Sequence, residues 1–260
     1  MQFKSQVEAL EQLKLLADSH RQSVLIEGPK GSGKSYLARQ YSSMIEVEDF
    51  VTVSPKVTDI RDTINSCISN GTSVMLCIEN LDLGVLSSSY ALLKFLEEPI
   101  QGVYIVVTCR NVNLVPDTII SRSTVVTVQP PRRDDLELYA RNADGAKYEL
   151  IKSRLAVRCC NSFQDIDDVL KMNSSQLTYY DNLKDLCKFT DNVSTLVWNV
   201  SHYDSENECN VELSIRCIME IMNNPFITRC GIDCLRDLSK ARISSHAILS
   251  KFMFNAKYCE

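Results

Sequence analysis

Ser23-Val-Leu-Ile-Glu27, followed by Gly28-Pro29-Lys30-Gly31-Ser32-Gly33-Lys34-Ser35, is the stretch that decides the fold. A short apolar run feeds a loop of the form GxxxxGK[ST], and a helical pattern follows over 34–45. Three of the chain's eight glycines fall in this loop. Glycine lets the backbone bend so that successive N–H groups face one anion. The helix that opens behind the loop adds positive potential at its N-terminus. A phosphate cradle between strand and helix is the context the motif requires. In such a cradle Lys34 reaches the β- and γ-phosphates and the Ser35 hydroxyl ligates Mg²⁺. Gly28, Pro29, Lys30, Gly31, Ser32 and Gly33 form its wall.

Working outward, further strand candidates are FVTVS (50–54), SVMLCI (73–78), VYIVVT (103–108) and STVVTV (123–128). Helix candidates lie between them at 57–68 and 87–97. This alternation predicts an α/β fold, a parallel sheet with helices on both faces. The runs at 73–78 and 103–108 are apolar throughout, as strands covered on both faces should be. Pro130-Pro131 closes the region. Beyond it the period becomes helical: Tyr148, Ile151, Leu155 and Cys159 share one stripe over 147–160. Leu213, Cys217, Ile218, Ile221 and Met222 share another over 212–222. Leu235, Leu238, Leu249, Phe252 and Met253 mark a third over 233–254. The polar stretch SHYDSENECN (201–210) reads as a loop.

The 260 residues are 45% apolar, which builds a core and excludes wholesale disorder. Net charge is −5. Residues 1–130 carry 11 Lys/Arg against 14 Asp/Glu, and residues 131–260 carry 17 against 19. Neither half is a basic body that would bind nucleic acid by global charge. No apolar run approaches the ~20 residues of a membrane span. The start, MQFKSQVEALEQLK, lacks the apolar core of a secretory signal. A cytoplasmic protein is expected. Eleven cysteines, none in a CxxC pair, read as reduced structural thiols.

The acidic partner of the loop is sought at the end of a neighbouring strand, in Val74-Met-Leu-Cys-Ile78-Glu79-Asn80-Leu81-Asp82. Glu79 would hold Mg²⁺ and its water shell, together with Ser35. Asn80 stands where a carboxylate would orient the attacking water. An amide cannot take that water's proton, and losing a general base typically costs ~10²–10⁴ in rate.

Tyr90-Ala-Leu-Leu-Lys94-Phe-Leu-Glu97-Glu98-Pro99 resembles the NALLKxLEEP helix of the AAA+ DNA clamp-loader subunits. Those relatives are bacterial gamma and delta-prime subunits, small subunits of replication factor C, and phage small subunits. With Glu79 set on the family's Walker-B Asp, Lys94 meets the family Lys without a gap. Thr108-Cys-Arg-Asn111 and Ser121-Arg122-Ser123 are similar to the sensor-1 strand and the SRC motif. His20–Gly28 and Val57-Thr-Asp-Ile-Arg61-Asp62 resemble the run into the loop and the helix after strand 2.

The resemblance covers residues 20–130 and implies an AAA+ P-loop domain over 1–130. Beyond it, by layout only, come an all-α lid over 131–172 and a helical collar over 173–260. It implies an ATP-binding subunit of a ring oligomer, a pentamer with other clamp-loader subunits. That ring opens a sliding clamp on primer–template DNA. It implies that Arg122 is a finger aimed at the γ-phosphate held by the next subunit, a task suited to a five-donor fork. Thr108, with Asn111 as second choice, would sense the γ-phosphate. Lys56 and Arg61 would face DNA. The lid's sensor-2 arginine is replaced by Gln164, and the zinc module of bacterial relatives is missing. These departures raise an alternative, a stator-like subunit that binds ATP without firing it. A more distant alternative is another AAA+ remodeller such as a helicase loader. The short, zinc-free layout leans toward a viral source.

Overall fold

The structure, a computed structural model, describes residues 3–56, 58, 60, 62–63, 73–84, 86–188, 210–239 and 245–258. The helix expected over 57–68 and the loop expected over 201–210 fall largely outside these residues. So does Arg61.

Five strands form one parallel sheet in the order β2-β3-β4-β1-β5. They are β1 (Ser23–Glu27), β2 (Asp49–Val53), β3 (Val74–Ile78), β4 (Val103–Cys109) and β5 (Thr124–Thr127). All five coincide with the runs expected from sequence, to within a residue or so at their ends. The parallel register sets Leu25 beside Val107 and Val125, and Leu76 beside Ile105. Side chains alternate across a strand, so β1 feeds two cores. Leu25 joins Leu76, Ile78, Ile105 and Val107 on one face, under Leu92 and Leu96 of α3 (Leu86–Glu97) and Ile119 of α4 (Asp117–Ile120). Val24 and Ile26 join Met75, Cys77 and Val106 on the other, under Leu13 of α1 (Val7–Asp18) and Leu37 and Tyr41 of α2 (Lys34–Ile45). Each such side chain contributes roughly 1.5–3 kcal/mol when fully buried.

The remaining described helices are α5 (Arg133–Ile151), which leaves helical geometry at Asp144, α6 (Leu155–Arg158), α7 (Phe163–Lys171), α8 (Ser174–Lys188), α9 (Val211–Met222), α10 (Pro225–Ser239) and α11 (Ser245–Tyr258). No described helix is long and apolar enough to cross a membrane. By contact density the chain forms two units. The first comprises Met1–Leu136 with Asn161–Gln164, and the second Glu137–Cys160 with Asp165–Glu260.

In the second unit α9 is buried along Val211–Ile218 except at Glu212. Asn210 starts it: its side chain accepts the Glu212 and Leu213 N–H groups at 2.9 and 3.3 Å, as an N-cap should. Its buried charge, Arg216, makes a two-pronged pair with Asp165 of α7, at 2.7 and 3.0 Å. Two helical stripes differ from expectation. The stripe over 147–160 is interrupted between Ile151 and Leu155, because Asp181 pairs with Arg154 and caps the Leu155 N–H at 3.1 Å. The stripe over 233–254 falls on two helices, α10 and α11.

Candidate functional site

Carboxyl ends of parallel strands are where open α/β sheets hold ligands, and the glycine loop stands at the end of β1. Gly31 (φ 69°) and Gly33 (φ 89°) take left-handed backbone that favours glycine. Both are also approached closely. A Cβ on Gly31 would lie 2.6 Å from Ser162 Cβ, and one on Gly33 would lie 2.3 Å from Gln6 Nε2. The Gln6 amide donates to Ser32 O at 2.9 Å, and the Phe163 N–H donates to Gly31 O at 3.0 Å. Phe3 and Phe163 pack with ring centroids 4.7 Å apart. The loop is thus clasped by the N-terminal turn and by residues 161–164. Neither Gln6 nor Phe3 stood out in the sequence, since a lone amide and a lone ring have no spacing signature.

Lys34 opens α2, is buried, and donates from Nζ to the Gly28 and Pro29 carbonyls, both at 2.8 Å. Burial, then the nearby charge of Arg110, lowers its pKa below the ordinary lysine value. The loop is spliced to its neighbours: Gly28 N–H donates to Cys109 O at 3.1 Å, and Val112 N–H donates to Glu27 Oε1 at 2.9 Å.

Ser35 Oγ donates to Glu79 Oε1 at 2.5 Å, so the two expected Mg²⁺ ligands do stand together. A hydroxyl and a carboxylate are the hard oxygen donors Mg²⁺ takes. Asn80 has left-handed backbone (φ 51°), and its N–H donates to Thr108 Oγ1 at 3.0 Å. Thr108 is buried at the end of β4 and ties that strand to the acidic tip of β3. The Asn111 side chain instead accepts the Asn113 N–H at 3.0 Å, holding its own turn. Asp82 Oδ2 accepts the Arg110 N–H at 3.1 Å. The Cys77 and Cys109 thiols, at the ends of β3 and β4, are each pushed up to about 12 by burial and neighbouring carboxylates, and stay protonated.

Gln164 lies beside the loop, its Cβ 3.2 Å from a Cβ built on Gly31. Arg122 lies apart from the loop. It pairs with Glu97 at 2.9 Å, and Nη1 donates to Thr118 O at 3.0 Å. Both members of the Arg122–Glu97 pair are exposed, at 36% and 52%. Lys56 is exposed, and Lys30 lines the outer loop. Among the described residues Cys77, Cys109, Cys159, Cys160, Cys217, Cys230 and Cys234 are free thiols.

Residues 44–132 match the family model described as DNA polymerase III, delta subunit. No curated protein sequence matches the chain. Among solved structures, a DNA polymerase III gamma subunit-related protein of Thermotoga maritima is 16% identical, with a TM-score of 0.55. The match covers 96% of this chain and 98% of that one. The RuvB Holliday junction branch migration motor of Thermotoga maritima is 14% identical, with a TM-score of 0.54 over 95% of this chain and 86% of its own. The fold is the one shared with these two proteins, and residues 44–132 of the first unit are similar to the DNA polymerase III delta subunit family.

Proposed function

From a clamp-loader-like AAA+ chain as premise, we propose an ATP- and Mg²⁺-binding subunit of a DNA polymerase sliding-clamp loader. The observation that carries this reading is the loop itself: left-handed Gly31 and Gly33, the Lys34 ammonium, and the Ser35–Glu79 pair converge at the end of β1. The loop N–H groups and Lys34 would hold the triphosphate. Ser35 and Glu79 would hold Mg²⁺, which neutralises charge developing on the phosphates. Residues 131–172 would act as the lid and 173–260 as the collar through which subunits form a ring. Arg122 would leave Glu97 to touch a neighbour's γ-phosphate. An exposed ion pair is worth only about 0–1 kcal/mol, so that exchange is cheap. Lys56 and Arg61 would follow DNA phosphates. ATP would drive clamp opening to the extent that it favours the closed interface more than ADP does.

A second reading is a stator-like subunit that binds ATP, hydrolyses little, and lends Arg122 to its neighbour. Asn80 and Gln164 favour it, since neither supplies the base or the charge of a firing site. Steady-state ATP turnover of the assembled complex, with Lys34→Ala and Arg122→Ala compared, separates the two. Loss with both variants marks a firing site, and loss with Arg122→Ala alone marks a stator. Absence of adenine-nucleotide binding, in the chain or its assembly, would sink both. Capture of a helicase in place of a sliding clamp would point instead to the helicase-loader alternative.

A further inference from the structure

In the second unit the end of α6 packs on α9, and two bonds fix how they meet. Arg216 Nη1 donates to the Cys159 carbonyl at 3.2 Å, and Arg158 pairs with Glu220 at 2.8 Å. Residues three and four apart are neighbours on a helix surface. Cys217 therefore stands between Arg216 and Glu220, facing Cys159. The Cys217 thiol donates a hydrogen bond to the Cys159 sulfur. Cys160 is engaged on its own helix, where its Sγ donates to the Ala156 carbonyl at 3.2 Å. Neither Cys159 nor Cys217 is in a disulfide.

The two thiols differ in surroundings. Cys217 is fully buried, whereas Cys159 is half-buried beside the exposed Arg158–Glu220 pair. The hydrogen bond from Cys217 outweighs burial and the Glu220 charge, and with Arg216 and Arg158 it holds the Cys159 thiol below the ordinary thiol value. Burial instead pushes up the Cys77, Cys109 and Cys234 thiols. The thiolate is the nucleophile, so Cys159 is the reactive member. A second thiol already in contact with it is placed to resolve whatever forms there. Among the described residues no three His, Cys, Asp or Glu side chains are grouped to hold a metal ion, which leaves redox chemistry as the use of the pair.

We propose that Cys159 and Cys217 form a dithiol site that a hydroperoxide oxidises reversibly to a disulfide joining the end of α6 to α9. The site is independent of the nucleotide-binding reading. With hydrogen peroxide, the Cys159 thiolate attacks one oxygen and the O–O bond breaks. A sulfenic acid forms, and the departing hydroxide takes a proton to become water. The Cys217 sulfur then attacks the sulfenic sulfur. The S–S bond forms, the S–O bond breaks, and the hydroxide leaves with the Cys217 proton as a second water. Two thiols have lost two electrons and two protons, and one peroxide has become two waters. A dithiol reductant reverses the change by exchange. The bridge closes a long loop, so it stabilises mainly by restricting the unfolded chain.

The test treats the reduced, folded full-length chain with a modest excess of hydrogen peroxide, blocks the remaining thiols with N-ethylmaleimide, and maps tryptic peptides by mass spectrometry. Titratable thiols should fall by two, from eleven to nine. Peptides 159–171 and 217–229 should be joined, with fragment ions placing the link at Cys159, and dithiothreitol should part them. The melting temperature should rise by about 4–12 °C on oxidation. Cys160→Ser and Cys230→Ser should keep the link. Cys217→Ala should lose it and leave Cys159 as a sulfenic acid that dimedone traps; should that variant fail to fold, the wild-type peptide map decides alone. A link through Cys160 or any other cysteine overturns the proposal. So does Cys159 carried to sulfinic acid with no link, a link that forms only in urea, or a melting temperature that fails to rise.

Discussion

Asp165→Ala tests the account of the helical unit. Arg216 and Asp165 are only 8% and 10% exposed, and the guanidinium meets both carboxylate oxygens. Burial works against the Arg216 charge, but the Asp165 hydrogen bonds and charge outweigh it and raise its pKa. Removing one member of a buried pair typically costs about 3–5 kcal/mol, because the other charge is left uncompensated. Arg216 would keep the Cys159 carbonyl at 3.2 Å and a longer contact to Glu212 at 3.5 Å. The expected loss therefore sits at the low end, about 3 kcal/mol. Against a typical total of about 5–15 kcal/mol this is large. Urea unfolding followed by far-UV circular dichroism measures it as a lower midpoint at unchanged slope. Replacing both charges together, Asp165→Leu with Arg216→Met, should recover most of the loss, since no buried charge remains. A loss under about 1 kcal/mol for Asp165→Ala would refute the reasoning, because that is how a solvated surface pair behaves.

Three further outcomes follow from the first unit. Gly31→Ala meets both a left-handed backbone and a contact of 2.6 Å, so it should cost at least about 1–2 kcal/mol in thermal unfolding and weaken nucleotide binding in titration. Asp135 accepts the Lys4, Ser5 and Arg132 N–H groups at 2.7, 3.1 and 3.2 Å, and these bonds outweigh burial to lower its pKa below 3.8. Its stabilisation is therefore full above 3.8 and lost as pH falls through the lower folded value; Asp135→Asn should cost about 1.5–3 kcal/mol at pH 7 and flatten the acid limb of stability against pH. Glu97→Gln should change stability by less than about 1 kcal/mol, since its pair with Arg122 is exposed, and differential scanning calorimetry would register a larger role.

The sheet was legible because its strands are short apolar runs spaced by helical patterns, and β1 and α2 were read to the residue. Helix α1 was not. Its buried stripe is Ala9, Leu13 and Ala17, so two of its three inward residues are small and the charges between them hide the period. The loop motif led to Lys34, Ser35 and Glu79 because their spacing carries mechanism. The clasp did not show, because Gln6 and Ser162 meet the loop, and Phe3 meets Phe163, from distant parts of the chain. Thr108 and Asn111 stood out as polar residues at the end of a strand, and their side chains accept the Asn80 and Asn113 N–H groups, contacts that no local pattern reports.

The order of the strands also bears on how this chain is made. β1, the innermost support of the loop, pairs only with β4 and β5. During synthesis it emerges early and has no edge to join until residues 103–109 have followed. β2 and β3 can pair with each other meanwhile, but the seat of the loop stays open. Such non-local pairing is slow to form and leaves apolar edges bare, so nascent chains stopped short of β4 would be candidates for chaperone capture.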